Sequence, residues 1–158
     1  MPWVIADAAP SLVKAIISIE PTGPPFVDSV FSSSRTRIYG ITNIPLTYSP
    51  AVTDLVTPLA VQTVNNTGTG VGTCMIQAEP ARQLVNLKKI PVLIEVAEAS
   101  YHAVYDDCTY FFLKQAGVPV EIMKLGSLGI KGNGHLHFME KNSDTIAAKL
   151  QDWIQKSC

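Results

Sequence analysis

Three strand-sized apolar runs, separated by breakers and polar turns, most constrain what this chain can fold into. Residues 12–20 (LVKAIISIE) and 90–97 (IPVLIEVA) are rich in β-branched and apolar side chains, as expected for strands buried on both faces of a parallel sheet. Residues 118–125 (VPVEIMKL) alternate and predict a third strand. PTGPP at 21–25 ends the first run. None approaches the roughly 20 apolar residues of a membrane span, so no membrane segment is predicted.

Helical patterns follow the second and third runs. Residues 106–117 open with acidic side chains, carry apolar residues at helical spacing and close on glycine. Residues 142–157 begin with an Asn/Ser cap and keep their apolar residues on one stripe. Residues 77–87 also show helical patterning. This order of elements predicts an α/β fold with a parallel sheet: strand, excursion, strand, helix, strand, helix.

The segment 26–75 matches neither pattern. It is rich in Ser, Thr, Asn, Gly and Pro and has no sustained period. Inside a compact domain, such a long irregular segment predicts an excursion over the surface, here a loop-rich cap. Its apolar side chains, Phe26, Phe31, Ile41 and Leu46, would then be offered to a substrate.

Charge and cysteine content exclude several functions. The net charge is −1 over 158 residues, which gives no electrostatic reason to predict nucleic-acid binding. The three cysteines lack the spacing of a zinc site, so neither a metal nor another cofactor is predicted. Cys74 and Cys108 fit either a disulfide in an exported protein or two buried thiols.

Acidic and histidine side chains follow the three predicted strands. Glu20 closes the first strand, Glu98 follows the second, and His135 and His137 lie after the third. In open α/β sheets functional groups gather beyond the carboxyl ends of the strands, so an acid and an imidazole should meet there. Acid before histidine is also the chain order of a serine–acid–histidine triad. Both acids remain candidates on this reasoning.

Of the histidines, His135 is the favoured general base. It directly follows the tight Gly-Asn-Gly turn at 132–134, which can aim one side chain at the edge of the sheet. His137 lies further out beside Phe138 and is predicted to be a bystander. His102 is predicted to be a loop residue or to line a pocket.

Several stretches of the sequence resemble one group of bacterial and fungal esterase-like α/β-hydrolases. They are PWVIADAAPSLVKAIISIEPTGPPF, YGITNIPLTYSP, IPVLIEVAEASYHAVYDDCTYFFLKQAGV and GIKGNGHLHFMEKNSDTIAAKLQDWI. The resemblance covers residues 2–155, and the paired signatures IEP and GNGH make it fairly specific. It implies a small-molecule carboxylic-ester substrate, hydrolysed by a Ser-His-Glu mechanism without a cofactor.

The resemblance also implies the roles of the site residues. The family's catalytic glutamate follows strand six and precedes a proline, which corresponds to Glu20 before Pro21, with His135 as the base. Glu98 is the alternative acid, because most α/β-hydrolases carry theirs after strand seven. The family's serine lies in a His-Ser-Gln-Gly-like elbow shortly before the acid, whereas G-x-S-x-G occurs nowhere in this chain.

Residues 1–158 are therefore expected to form the C-terminal part of a single α/β-hydrolase domain, a partial fold. The first strands, the nucleophile and the oxyanion-hole donors would lie upstream of Met1, and the chain alone would be inactive. The alternatives are a non-catalytic binding module of the same shape and a truncated inactive fragment. An unpaired first strand leaves a homodimer as one option. The compartment is not predicted.

Overall fold

The computed structural model describes residues 2–30, 32–68 and 72–158. Its helices are α1 (Pro2–Ala8), α2 (Asp106–Gln115) and α3 (Ser143–Ser157). Its strands are β1 (Ile16–Ile19), β2 (Tyr48–Ser49), β3 (Val61–Asn65), β4 (Thr73–Gln77), β5 (Gln83–Leu84), β6 (Val92–Val96) and β7 (Val120–Lys124). Short 3-10 turns lie at Pro10–Leu12, Tyr101–Val104, Leu125–Leu128 and His137–Met139. No helix among these is long and apolar enough to cross a membrane.

The main sheet is parallel and has the order β1-β6-β7. Ile16 of β1 is in register with Val92 of β6, which is in register with Val120 of β7. Every residue of the central strand β6 is buried, because both faces of the sheet are covered. The three apolar runs thus form the three strands of one parallel sheet, and the predicted α/β class is confirmed.

Two predicted helices are present. α2 begins with two aspartates in its first turn, whose negative charges interact favourably with the positive end of the helix dipole. The helix packs on β6 and β7. Its Phe112 and Leu113 are fully buried in the main core. α3 buries Ile146 and Trp153 and leaves most of its other side chains partly or fully exposed, as its single apolar stripe predicts.

The helix predicted over 77–87 is wrong. Gln77 ends β4, and residues 83–84 form β5, which pairs with β2. The Gln77 side chain accepts a hydrogen bond from the backbone N–H of Arg82 at 3.1 Å and donates one to its carbonyl oxygen at 2.9 Å. Pro80 has no N–H to donate to a helical ladder. These bonds occupy the backbone groups that a helix would have used.

The irregular segment 26–75 has an inner face that belongs to the main core. Its buried side chains are Phe26, Tyr39, Ile41, Leu46, Tyr48 and Leu59. Phe26 meets Phe112 of α2 edge-on, with ring centroids 5.5 Å apart. Gly40 has φ +87°, and a Cβ there would lie 2.0 Å from the Phe112 ring, so only glycine fits. Phe31 and residues 69–71 lie outside the described residues.

A disulfide joins Cys74 of β4 to Cys108 of α2. Of the two readings that the sequence left open, the structure has the bonded one. β3 and β4 form an antiparallel hairpin. The disulfide therefore links this hairpin covalently to α2, which packs on the main sheet.

Removing this cross-link should lower the stability considerably. The C74A/C108A variant is expected to lose about 4 kcal/mol of unfolding free energy. The disulfide closes a loop over a sequence separation of 34 residues, and without it the unfolded chain gains conformational entropy. Urea denaturation measures the loss, and C158S, which changes the exposed free thiol, is the control. A loss below about 1 kcal/mol would contradict the loop-entropy explanation.

Candidate acid–base site

Glu20 stands at the carboxyl end of β1, where the strand leaves the sheet. Its N–H still donates to the carbonyl of Glu95 at 2.9 Å, but its φ is +44°. A left-handed backbone is uncommon for a residue other than glycine and concentrates at functional sites. Glu20 is only 5% exposed, and its carboxylate lies at the edge of the sheet where the loops after β6 and β7 meet.

Both carboxylate oxygens of Glu20 are occupied. Oε1 accepts the backbone N–H of Ala97 at 2.9 Å, and Oε2 accepts the hydroxyl of Ser100 at 2.8 Å. Oε2 also lies 2.5 Å from Nδ1 of His135, 115 residues further along the chain. Three donors therefore fix the carboxylate, and one of them is the imidazole that the sequence put forward as the base.

The ring of His135 is partly open to solvent. Its side chain is 39% exposed, and it contacts the rings of Tyr101 and His102. Because Nδ1 faces a carboxylate, the hydrogen-bond network assigns the proton of the neutral ring to Nδ1. Nε2 is then the basic nitrogen. A carboxylate on one nitrogen and a free lone pair on the other is what a general base requires.

The turn that carries His135 is held by hydrogen bonds to side chains that precede α3. Asn133 is 1% exposed, and its amide donates to Glu140 at 2.6 Å and to Asn142 at 2.7 Å. The N–H of Gly134 donates to the same glutamate at 2.9 Å. The loop before α3 therefore holds the turn through side chains, which gives His135 a defined starting position.

Glu98, the alternative acid, lies elsewhere. It is exposed, and its Oε2 accepts the backbone N–H of Gly132 at 3.0 Å. No hydrogen bond or ion pair within the described part of the chain joins it to His135. Glu98 thus contacts the backbone of the turn, whereas Glu20 contacts the imidazole.

His137 forms a second buried contact between a histidine and a glutamate. It is 1% exposed, its Nδ1–H donates to the carbonyl of Gly134 at 3.2 Å, and its Nε2 lies 2.9 Å from Oε2 of Glu95. These two atoms are close but not aligned as a hydrogen bond. Glu95 is fully buried in β6, and burial raises its pKa to about 7, partly opposed by His137. Sequence reasoning missed this pair, although a glutamate inside the apolar run IPVLIEVA was a signal.

Burial of Glu95 predicts a pH dependence of stability. Its pKa is raised from 4.5 to about 7, so the folded chain keeps a proton that the unfolded chain releases in this interval. Glu95 should therefore contribute a fall of about 2 kcal/mol in the unfolding free energy as the pH rises from 5 to 7.5. Urea denaturation at both pH values should show a smaller fall for E95Q. Equal falls would contradict the assignment to Glu95.

His102 lines the same site and has its own carboxylate. It is 3% exposed, and its Nδ1 lies 3.2 Å from Oδ1 of Asp106, which is 1% exposed. Burial raises the pKa of Asp106 to about 6, although the hydrogen bond from His102 lowers it. The spacing of four residues in HAVYD was a sequence signal for this pair.

Glu20, His102 and His135 also form a group whose possible metal-ligand atoms all lie within 4.8 Å. Two histidines and one glutamate are a known zinc ligand set, with ligand bonds of about 2.0–2.2 Å. Here the oxygens of Glu20 already accept three hydrogen bonds, and the two imidazoles lie nearly parallel. In-plane lone pairs of parallel rings do not converge on one ion. The arrangement therefore fits acid–base chemistry better than metal binding.

A cleft of about 540 Å³ opens beside the Glu20 carboxylate and the His135 imidazole. Besides Glu20, His102 and His135, it is lined by Thr22, Gly23, Asp28, Val30, Ser32, Ser34, Arg35, Thr36, Arg37, Tyr101 and Tyr105. Arg37 is 8% exposed and donates to the carbonyl oxygens of Pro24 and Val27, so it braces the wall that the irregular segment contributes. Burial lowers the pKa of Arg37.

The chain is similar to a protein named probable secreted lipase phiG, from Fungal sp. (strain ATCC 74256). The two are 46% identical over 154 residues, which are 98% of this chain and 42% of that protein. The chain thus spans less than half the length of this relative. No protein-family model and no solved structure matches the chain.

Proposed function

We propose that this chain supplies the acid and the base of a carboxylic-ester hydrolase, with Glu20 orienting His135. The observation that carries the proposal is the 2.5 Å contact between Nδ1 of His135 and a buried carboxylate oxygen held by Ser100. The similarity to a protein named as a lipase supports an ester as the substrate.

In the proposed reaction His135 moves the protons. Its Nε2 takes the proton of a serine hydroxyl as the oxygen attacks the ester carbonyl, and it then gives that proton to the departing alcohol. Water repeats the cycle on the acyl-enzyme. Glu20 keeps the ring in the Nδ1–H tautomer and stabilises the imidazolium that forms at each transfer.

The serine is proposed to come from a segment outside these 158 residues. G-x-S-x-G does not occur in the chain, and the hydroxyl of Ser100 is engaged as a donor to Glu20. Among the described strands β1 pairs on one side only, and Ile19 on it is 42% exposed. A further parallel strand at that edge, carrying the serine on the turn that follows, would complete an α/β-hydrolase sheet beside His135.

Residues 26–75 are proposed to act as the cap that selects the substrate. They supply many of the residues that line the cleft, including Val30, Ser32, Ser34 and Arg35. This wall is mixed in polarity, so the small-molecule ester would place polar as well as apolar groups against it.

Comparing the chain with an in-frame, upstream-extended form tests the proposal. We expect only the extended protein to hydrolyse p-nitrophenyl butyrate and to be labelled by a fluorophosphonate, with the label on a serine upstream of Met1. The lack of G-x-S-x-G favours a second candidate, a binding module of the same shape. Ester binding by the extended protein without turnover or labelling would support that module and reject the hydrolase.

A further inference from the structure

His102 provides a fixed plane against which the ring of His135 rests. The two imidazoles are nearly parallel, with an interplanar angle of 8° and centroids 4.8 Å apart. Tyr101, the preceding residue in the same 3-10 turn, contacts the His135 ring at the same centroid distance with a tilt of 51°. A partly exposed imidazole therefore touches two neighbouring rings, one of which lies flat against it.

The flat neighbour is itself held in one orientation. Asp106 meets Nδ1 of the His102 ring, and the backbone N–H of His102 donates to the hydroxyl of Ser100 at 3.1 Å. That hydroxyl donates in turn to Glu20. The 3-10 turn thus connects the His102 ring, through Ser100, to the Glu20 carboxylate that binds His135. The His102 ring therefore has little rotational freedom.

We propose that His102 is a positioning residue for His135. The ring torsion of a histidine is broad, so an imidazole exposed to this extent would otherwise sample several orientations. The flat contact favours the orientation in which Nδ1 meets Glu20 and Nε2 stays free to take a proton. The effect on ring orientation is independent of the proposed hydrolase function, whereas any effect on turnover rests on it.

The orientation can be measured by NMR on the 158-residue chain, which has three histidines. In the wild type we expect a downfield Nδ1 proton of His135, protected by Glu20, and ring protons shifted by the stacked neighbour. H102A should lose the downfield resonance, and H102F, which restores a flat ring, should recover it. H102N, which has no ring but can still contact Asp106, replaces H102A if that variant does not fold.

Val118→Ala separates positioning from general destabilisation. Val118 is 4% exposed in the main core, so its truncation lowers stability without touching the cleft. We expect V118A to keep the downfield resonance. If both ring-free variants keep the wild-type signals, or if V118A loses them as well, the positioning role is wrong.

Turnover gives a second readout in the upstream-extended protein. H102A should lower kcat about tenfold with little change in KM, and H102F should recover most of the loss, since one ring contact is at stake. If the extended protein hydrolyses no ester while the NMR signature still depends on His102, the hydrolase function fails and the positioning role stands. If H102A alters the NMR signals of His135 but keeps the wild-type kcat, His102 orients the His135 ring only in the resting protein, and its proposed effect on turnover is wrong.

Discussion

Replacing His135 by glutamine is expected to lower kcat for ester hydrolysis at least about 10³-fold in the upstream-extended protein proposed above. Glutamine fills a similar space and can still contact Glu20, but it has no nitrogen that takes a proton near neutral pH. The serine hydroxyl would then attack without a base. KM should change little, because Nε2 acts on the reacting proton rather than on the bound ester.

A change in stability should not account for the loss of kcat in H135Q. The His135 side chain is 39% exposed, so H135Q should unfold within about 1 kcal/mol of the wild type. The measurements are kcat and KM on p-nitrophenyl butyrate, with a urea melt of each protein. K141Q is the control, because Lys141 is an exposed residue of the same loop. Retention of more than about a tenth of kcat by H135Q would contradict the role of general base.

The strands could be predicted because their signals are local. Residues 12–20, 90–97 and 118–125 each contain one strand of the sheet, and each run is set off by proline, glycine or polar residues. The helices α2 and α3 likewise carry their own acidic first turn or apolar stripe. Where propensity, pattern and end signals agree, the tertiary structure has no reason to override them.

The helix over 77–87 failed because distant partners decided its structure. β5 pairs with β2, more than thirty residues earlier, and Gln115 of α2 donates to the carbonyl of Gln77. A window of eleven residues contains neither partner. The packing of segment 26–75 into the core has the same origin, since the partner of Phe26 is Phe112 of α2, which is distant in the sequence.

The contact between Glu20 and His135 could be anticipated because the topology brings the strand ends together. Glu20 and His135 follow strands on either side of β6, and the parallel order places their loops at one edge of the sheet. The contact of His137 with Glu95 was not anticipated in this way. His137 is predicted to lie further out beside Phe138, and no residue pattern in the 131–142 loop specifies that its side chain points inward. The glutamate inside the apolar run and the spacing of His102 and Asp106 are the signals that the sequence offers for the other side chains.

Glu20→Gln and Glu98→Gln form a matched pair that decides which carboxylate orients the base. E20Q is expected to lower kcat by about 10⁴-fold, the scale seen when the acid of a serine triad becomes an amide. The amide nitrogen would stand either at the place of Oε2, facing Nδ1 of His135 and the hydroxyl of Ser100, or at the place of Oε1, facing the N–H of Ala97. At least one of these bonds is therefore lost. The imidazole then loses its fixed tautomer and the partner of its charged form.

E98Q makes the same chemical change at an exposed site. Its amide oxygen can still accept the N–H of Gly132, so kcat should stay within about threefold of the wild type. E20Q should also lose roughly 1–3 kcal/mol of stability, because a buried donor or acceptor is left unpaired. Assays are therefore run well below its melting temperature. A large loss of kcat in E98Q with near-normal turnover in E20Q would transfer the orienting role to Glu98, and the 2.5 Å contact of His135 would then serve only the fold.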